Sequence, residues 1–165
     1  MPRKSSIHFK PVENVRFAVS HSERTDLSAP SYLLPKEHQL DNVIVAGSLS
    51  EDELSALFIQ QKERMSRQAK TAKASPFFEG VAVLKNTDAD EQSQNLIEWK
   101  KAYEQATGHT VLHMSIHRDE GHIDASGEVQ YNPHAHVILS RMSAENRVIH
   151  LGRKQLSQVQ DLTAE

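Results

Sequence analysis

Apolar and polar residues alternate along Thr110–His117, which puts Val111, His113, Ser115 and His117 on one face of a strand and Leu112, Met114 and Ile116 on the other. The same period of two predicts a strand from His134 to Met142, with His134 and His136 on one face and Ala135 turned away. Shorter apolar runs at Val15–Ser20, Asn42–Ala46 and Gly80–Leu84 predict three more strands, the second ended by Gly47. Elsewhere the period lengthens to that of a helix. Ser50 and Glu53 form a capping box for a helix expected to run to about Ala72, with Leu54, Leu57, Phe58 and Met65 near one face. Pro76 closes that region. Asp90-Glu91 opens a second long helix, carrying Leu96, Trp99, Tyr103 and Ala106 at helical spacing and capped by Gly108. Trp99 and Tyr103 are core residues in this reading. Gly121–Asn132, with Gly127 inside it, reads as an extended hairpin between the two histidine strands; Asn146 marks a turn, and a final helix starts near Arg153. Residues 1–12 read as a polar arm on a single domain spanning 1–165. The pattern predicts an α+β fold: a central antiparallel or mixed sheet with helices packed on one face, leaving the polar face of the histidine strands open.

Composition narrows the function classes. A chain of 165 residues with 38% hydrophobic and 25% charged residues is an ordinary globular protein with one core. The absence of cysteine excludes disulfides and zinc–thiolate sites. No run of apolar residues is long enough to span a membrane, and the basic Met1–Ser6 start has no apolar stretch of a secretory signal behind it. A cytoplasmic location without membrane contact is the expectation. The formal net charge of −3 means that nucleic-acid binding has to rest on local patches. One such patch is Lys62, Arg64, Arg67, Lys70 and Lys73, offset locally only by Glu63. It is either a solvated helix face or a stripe against a DNA backbone, in which case Arg64, Arg67 and Lys70 are the contacts. Arg3, Lys4 and Lys10 in the arm are open to the same two readings.

Histidine is the unusual component. There are ten, and six of them (His109, His113, His117, His122, His134 and His136) fall between His109 and His136. Neutral imidazoles with a nearby carboxylate, at the end of an otherwise apolar sheet, suit a borderline divalent metal. His113 lies on the ligand face one pleat away and reads as an ordinary sheet residue. A metal there would polarise a phosphate oxygen and would need a nucleophile beside it. No Ser-His-Asp arrangement or phosphate-binding glycine loop is visible. Tyr103 is claimed by a helix core and Tyr131 immediately precedes the metal strand, which leaves His21 and Tyr32, both in or near the loop after the first predicted strand. A neutral imidazole is a competent nucleophile near neutral pH, whereas a tyrosine with a pKa of about 10 needs activation.

His117-Arg-Asp-Glu120, Pro133-His-Ala-His136 and His21-Ser-Glu-Arg24 together resemble the MobV (Mob/Pre) plasmid mobilisation relaxases of the HUH endonuclease superfamily. Pro35-Lys-Glu-His38-Gln-Leu40-Asp-Asn42 is similar to a further segment of that family, so the resemblance runs over residues 15 to 162 in order and spacing. It implies an HUH relaxase fold that nicks single-stranded or supercoiled DNA at an origin-like site and becomes joined to the 5′-phosphate. It further implies that His117, Glu120, His134 and His136 hold manganese or magnesium, that His21 is the nucleophile, and that Arg24 contacts the scissile phosphate. Glu23 would orient His21 or face solvent. In the family the two metal motifs are only a few residues apart; here residues 121–132 intervene, and His122 becomes an alternative to Glu120 as fourth ligand.

Four rival functions follow from the same residues. A rolling-circle replication nickase needs a tyrosine on a helix after the His-x-His strand, and none follows Tyr131. A nickase by which a mobile element interferes with a competitor would be chemically identical to the relaxase. A metal-binding DNA-recognition module would bind without cleaving. A small-molecule metal hydrolase is disfavoured by the lack of a glycine-rich pocket loop.

Overall fold

Residues 6–24, 32–65, 75–85, 88–145 and 147–164 are described by a computed structural model of the chain. Five strands form one antiparallel sheet: β1 (Ile7–Pro11), β2 (Val43–Ala46), β3 (Phe77–Val83), β4 (Thr110–His117) and β7 (His134–Ser140), in the order β1-β3-β7-β4-β2. The two histidine strands are therefore central and hydrogen-bonded to each other, with His117 opposite His134 and Ser115 opposite His136. Between them, β5 (Gly121–Ile123) and β6 (Val129–Tyr131) make the expected separate hairpin. Gly121 permits it: at φ 156° a side chain there would run into the Gln130 carbonyl across the pair.

Helices α3 (Ala89–Thr107) and α4 (Arg153–Ala164) cover one face of the sheet. Leu96, Trp99, Tyr103 and Val159 pack there on Val111, Met114, Ile116, Ala135, Val137 and Leu139. Each fully buried aliphatic side chain contributes roughly 1.5–3 kcal/mol against exposure. Asp88 caps the start of α3 through the Glu91 N–H, and Gly108 ends it at φ 75°. The α+β class with an antiparallel sheet is as expected.

Four local features differ from the sequence reading. Val15–Ser20 is not a strand but most of helix α1 (Val15–Glu23), whose start is capped by the Asn14 side chain accepting from the Phe17 N–H. Its buried positions, Val15, Ala18, Val19 and Ser22, follow the helical period. With α2 (Glu51–Arg64), α1 packs on the second face through Val12, Leu54, Phe77 and Ile138, so part of the face expected to be open is covered. The capping box of α2 is present as expected, but the helix stops at Arg64 because Met65 turns to an extended backbone; residues 66–72 of the predicted helix lie outside the described residues. Ile7–Pro11, read as part of a polar arm, is an edge strand on β3. Lastly, the register of β4 shifts between Val111 and His113, a bulge that sends Val111 to the α3 face and Leu112 to the α1–α2 side. His113, Ser115 and His117 keep one face because the alternation restarts beyond the bulge. No helix among the described residues is long and apolar enough to cross a membrane.

Candidate metal centre

Three histidines converge where β4 ends and β7 begins. The ring centroids of His117, His134 and His136 lie 4.1 to 5.2 Å apart. One ring nitrogen from each lies within 4.8 Å of the other two, a group that can hold a metal ion. Strand pairing makes this possible, because His117 and His134 are directly opposite and His136 is two residues along the same face.

Backbone carbonyls orient two of the rings. His117 Nε2 donates to the Ser22 carbonyl at 2.8 Å, and His134 Nδ1 donates to the Asn132 carbonyl at 2.9 Å. A carbonyl accepts only, so each of these nitrogens carries its proton and the other nitrogen presents a lone pair. His117 Nδ1 and His136 Nε2 are buried without a hydrogen-bond partner. Leaving such atoms unpaired costs of order 1–3 kcal/mol each. A borderline divalent cation is the partner such nitrogens suit, so the residues fit a bound metal.

Burial keeps the His134 and His136 rings neutral. Burial pushes His136 down to about 2, with further lowering from the neighbouring His117, His134, His21 and Arg24. Burial also lowers His134, against the opposing pull of the Asn132 carbonyl and Glu120. Neutral imidazole is the form that ligates metal.

Glu120 stands at the edge of the cluster. Its Oε1 is 3.5 Å from His134 Nε2 and 3.7 Å from His117 Nδ1, and the same carboxylate is paired with Arg24. Burial opposes its ionisation, but His117, His134 and Arg24 outweigh that and hold it below the usual carboxylate range. His122 sits exposed on β5, paired in register with Gln130.

Helix α1 brings the remaining residues. His21, in its last turn rather than at the end of a strand, has its ring centroid 5.4 Å from that of His136 and 5.8 Å from that of His117. Phe17, one turn earlier and 63% exposed, lies nearly parallel to the His21 ring at 6.1 Å. Arg24 ends the helix in the left-handed conformation, φ 58°, a costly state for a residue with a side chain. That turn sends its guanidinium to Asp119 and Glu120. Its Nε and Nη1 remain buried without a partner. Asn42 completes the frame: its side chain donates to Asp119 at 2.9 Å and accepts from the Arg118 N–H at 2.6 Å.

Other candidates lie apart. Tyr32 is half exposed, and its backbone carbonyl, not its ring, is engaged, by the Gly121 N–H at 3.2 Å. Tyr131 is partly exposed on β6 and Tyr103 is buried under the sheet, as the helical pattern indicates. Arg64 is exposed at the end of α2, near Gln61, which accepts from Ser140 at the other end of β7 from His134. Six residues of strand put that end roughly 20 Å from the cluster. Arg67, Lys70 and Lys73 lie outside the described residues.

Sequence reasoning missed Ser22 and Ser115 and left Glu23 between two other roles. Asn42 and Asp119 were inside quoted motifs without a role. The strand alternation that placed Ser115 between His113 and His117 was the available signal. Comparison of the chain with protein-family models and with curated proteins finds no match.

Proposed function

We propose that the protein is a metal-dependent, site-specific DNA nickase of the HUH type, forming a covalent adduct with a 5′-phosphate, as the resemblance to MobV relaxases suggests. The observation that carries the reading is the meeting of His21 and Arg24, from one helix end, with His117, His134 and His136, nearly a hundred residues later in the chain. Phosphodiester transfer asks for three such elements: a nucleophile, a cation for the phosphate, and a seat for a Lewis acid.

His117, His134 and His136 would hold the ion, with Glu120 beside them. A three-imidazole set favours manganese over magnesium, which prefers an all-oxygen shell. When bound, the ion supplies polarisation of a phosphate oxygen. Arg24 supports the phosphate role because its unpartnered Nε and Nη1 offer two donors to an anion while Nη2 stays on Asp119. A His21 ring nitrogen attacks phosphorus: a P–N bond forms, the P–O3′ bond breaks, and the departing 3′ oxygen takes up the proton that the phosphorylated ring gives up from its other nitrogen. The exposed Phe17 ring beside His21 offers a base a stacking surface.

The test is incubation of the protein with manganese and single-stranded or supercoiled DNA carrying candidate origins, followed by a denaturing gel. The expected product is an acid-labile, base-stable protein–DNA adduct. His21→Ala should lower adduct formation by at least about a thousandfold, and Tyr32→Phe should leave it near wild type. Binding of DNA without metal-dependent adduct in the wild type would leave only a DNA-recognition module. An adduct formed by His21→Ala but lost in Tyr32→Phe would overturn the choice of nucleophile.

A further inference from the structure

The end of α1 does more than carry His21. A helix leaves its last four carbonyls without partners inside the helix. In α1, those of Ser20 and His21 are taken by the Arg24 N–H. The Ser22 carbonyl is taken from outside, by His117 Nε2 at 2.8 Å and by the Ser115 hydroxyl at 2.9 Å. The partial negative charge at a helix C-terminus strengthens both bonds. The neighbouring side chains repeat the attachment. Ser22 Oγ lies 2.6 Å from Ser115 Oγ and 3.4 Å from His113 Nδ1, and His113 Nε2 donates to Glu23 at 3.1 Å. Three successive inward residues of β4, His113, Ser115 and His117, thus grip two successive residues of α1, Ser22 and Glu23.

Only one of these bonds touches the cluster directly. His117 can present Nδ1 to His134 and His136 only while its proton is held on Nε2, and the acceptor that holds it is the Ser22 carbonyl. That carbonyl stays in place only while the last turn of α1 stays docked. Glu23 is one-third exposed at its side chain and makes its bond to a His113 that is almost fully buried, so the pair closes the outer edge of the dock.

We infer that Glu23, acting through His113, and Ser115 are positioning residues of the metal centre: they hold the Ser22 carbonyl against His117 and so set which nitrogen of His117 faces the metal. The inference rests on the metal-site half of the function proposed above. It also ties the position of His21, the residue before Ser22, to the same dock. Glu23 therefore does not simply face solvent: its carboxylate accepts from His113 and acts on His21 only through the dock.

The experiment uses the full chain and manganese alone. Nitrogen-15 long-range correlation spectra of the metal-free protein, with the His117 signals assigned by their loss in His117→Gln, should show His117 as the Nε2–H tautomer and His134 as the Nδ1–H tautomer. Calorimetric titration should then show manganese bound about tenfold more weakly by Glu23→Ala and by Ser115→Ala, the scale seen when groups that orient metal ligands are removed. Glu23→Gln should stay within about twofold of wild type, because its amide oxygen can still accept from His113; a merely structural carboxylate would not be rescued in this way. Wild-type affinity in Glu23→Ala and Ser115→Ala, or an Nδ1–H tautomer at His117, would overturn the inference and leave the metal site standing. A wild type that binds no manganese would remove the metal site, and the inference with it. Should Glu23→Ala fold poorly, the tautomer in the wild type and the Glu23→Gln titration still decide.

Discussion

The two faces of β4 and β7 are built from alternate residues of the same strands and treat burial in opposite ways. On the α3 face, Met114, Ile116, Ala135, Val137 and Leu139 are buried together, each apolar atom against another. On the α1 face, His113, Ser115, His117 and His134 are buried as deeply, yet they are polar. Their polar atoms fall into two groups. Those nearer α1 are matched by Ser22 and Glu23, while a ring nitrogen of His117 and one of His136 are left without a hydrogen-bond partner. The first face holds the fold together; the second spends part of that stability on a constellation that packing alone would never select.

Substitution of the core should break the contrast most sharply. Met114 is fully buried beneath α3, and Met114→Ala should cost about 2–5 kcal/mol in urea unfolding while the folded protein still binds one manganese. The reverse pattern is expected from His134→Ala combined with His136→Ala: manganese binding lost, stability little changed. Loss of metal binding in Met114→Ala at temperatures where it remains folded would mean that the two faces are not separable.

How much of this was legible beforehand depends on distance along the chain. The histidine pair, the Ser50–Glu53 box and the Gly108 cap are written in neighbouring residues, and each sits where the pattern puts it. Helix α1 was hidden because Val15, Phe17 and Val19 alternate as a strand would, while Val15, Ala18, Val19 and Ser22 repeat as a helix would. Asn14 as a cap breaks the tie, and in the helix Phe17 turns outward. Strand β1 was hidden by Lys10 and Pro11, residues an edge tolerates and an inner strand does not. The bulge at Leu112 has no mark in the residues around it. The grip of Ser115 and His113 on α1 joins positions about ninety apart, which no local period encodes.

A pH series sharpens the comparison at a smaller scale. His134 and His136 are held below their ordinary value by burial on the α1 face, and His109 is lowered by burial beneath α3, against the pull of the Ile149 carbonyl. In the unfolded chain each titrates near 6.5. Above that pH neither state takes up a proton, and the full stability is present. Below it the unfolded chain binds protons that the fold refuses, so metal-free stability falls as pH falls, by up to about 1.4 kcal/mol per pH unit for each histidine. Urea unfolding at pH 7.5, 6.5 and 5.5 should show this slope, reduced by roughly two-thirds in the His134→Ala/His136→Ala protein. An unreduced slope would assign the acid sensitivity to His109 and take it off the face that carries the histidine cluster.

The finest test replaces one of the three clustered histidines by an apolar side chain. His136 lies opposite Ser115 on one side and Val81 on the other, its Nε2 unpartnered and its ring 4.1 Å from that of His117. Leucine of similar volume at this position removes the unpaired nitrogen without opening a cavity. The metal-free His136→Leu protein should therefore be more stable than the wild type by about 1 kcal/mol, the lower part of the cost of an unsatisfied buried polar atom. Manganese should close or reverse that gap, because it stabilises only the protein that retains the ligand. Urea unfolding of both proteins with manganese and with a chelator measures the two differences. If His136→Leu is the less stable protein even with the chelator present, the ring is held by partners within the protein, and the α1 face is packed for stability as the α3 face is.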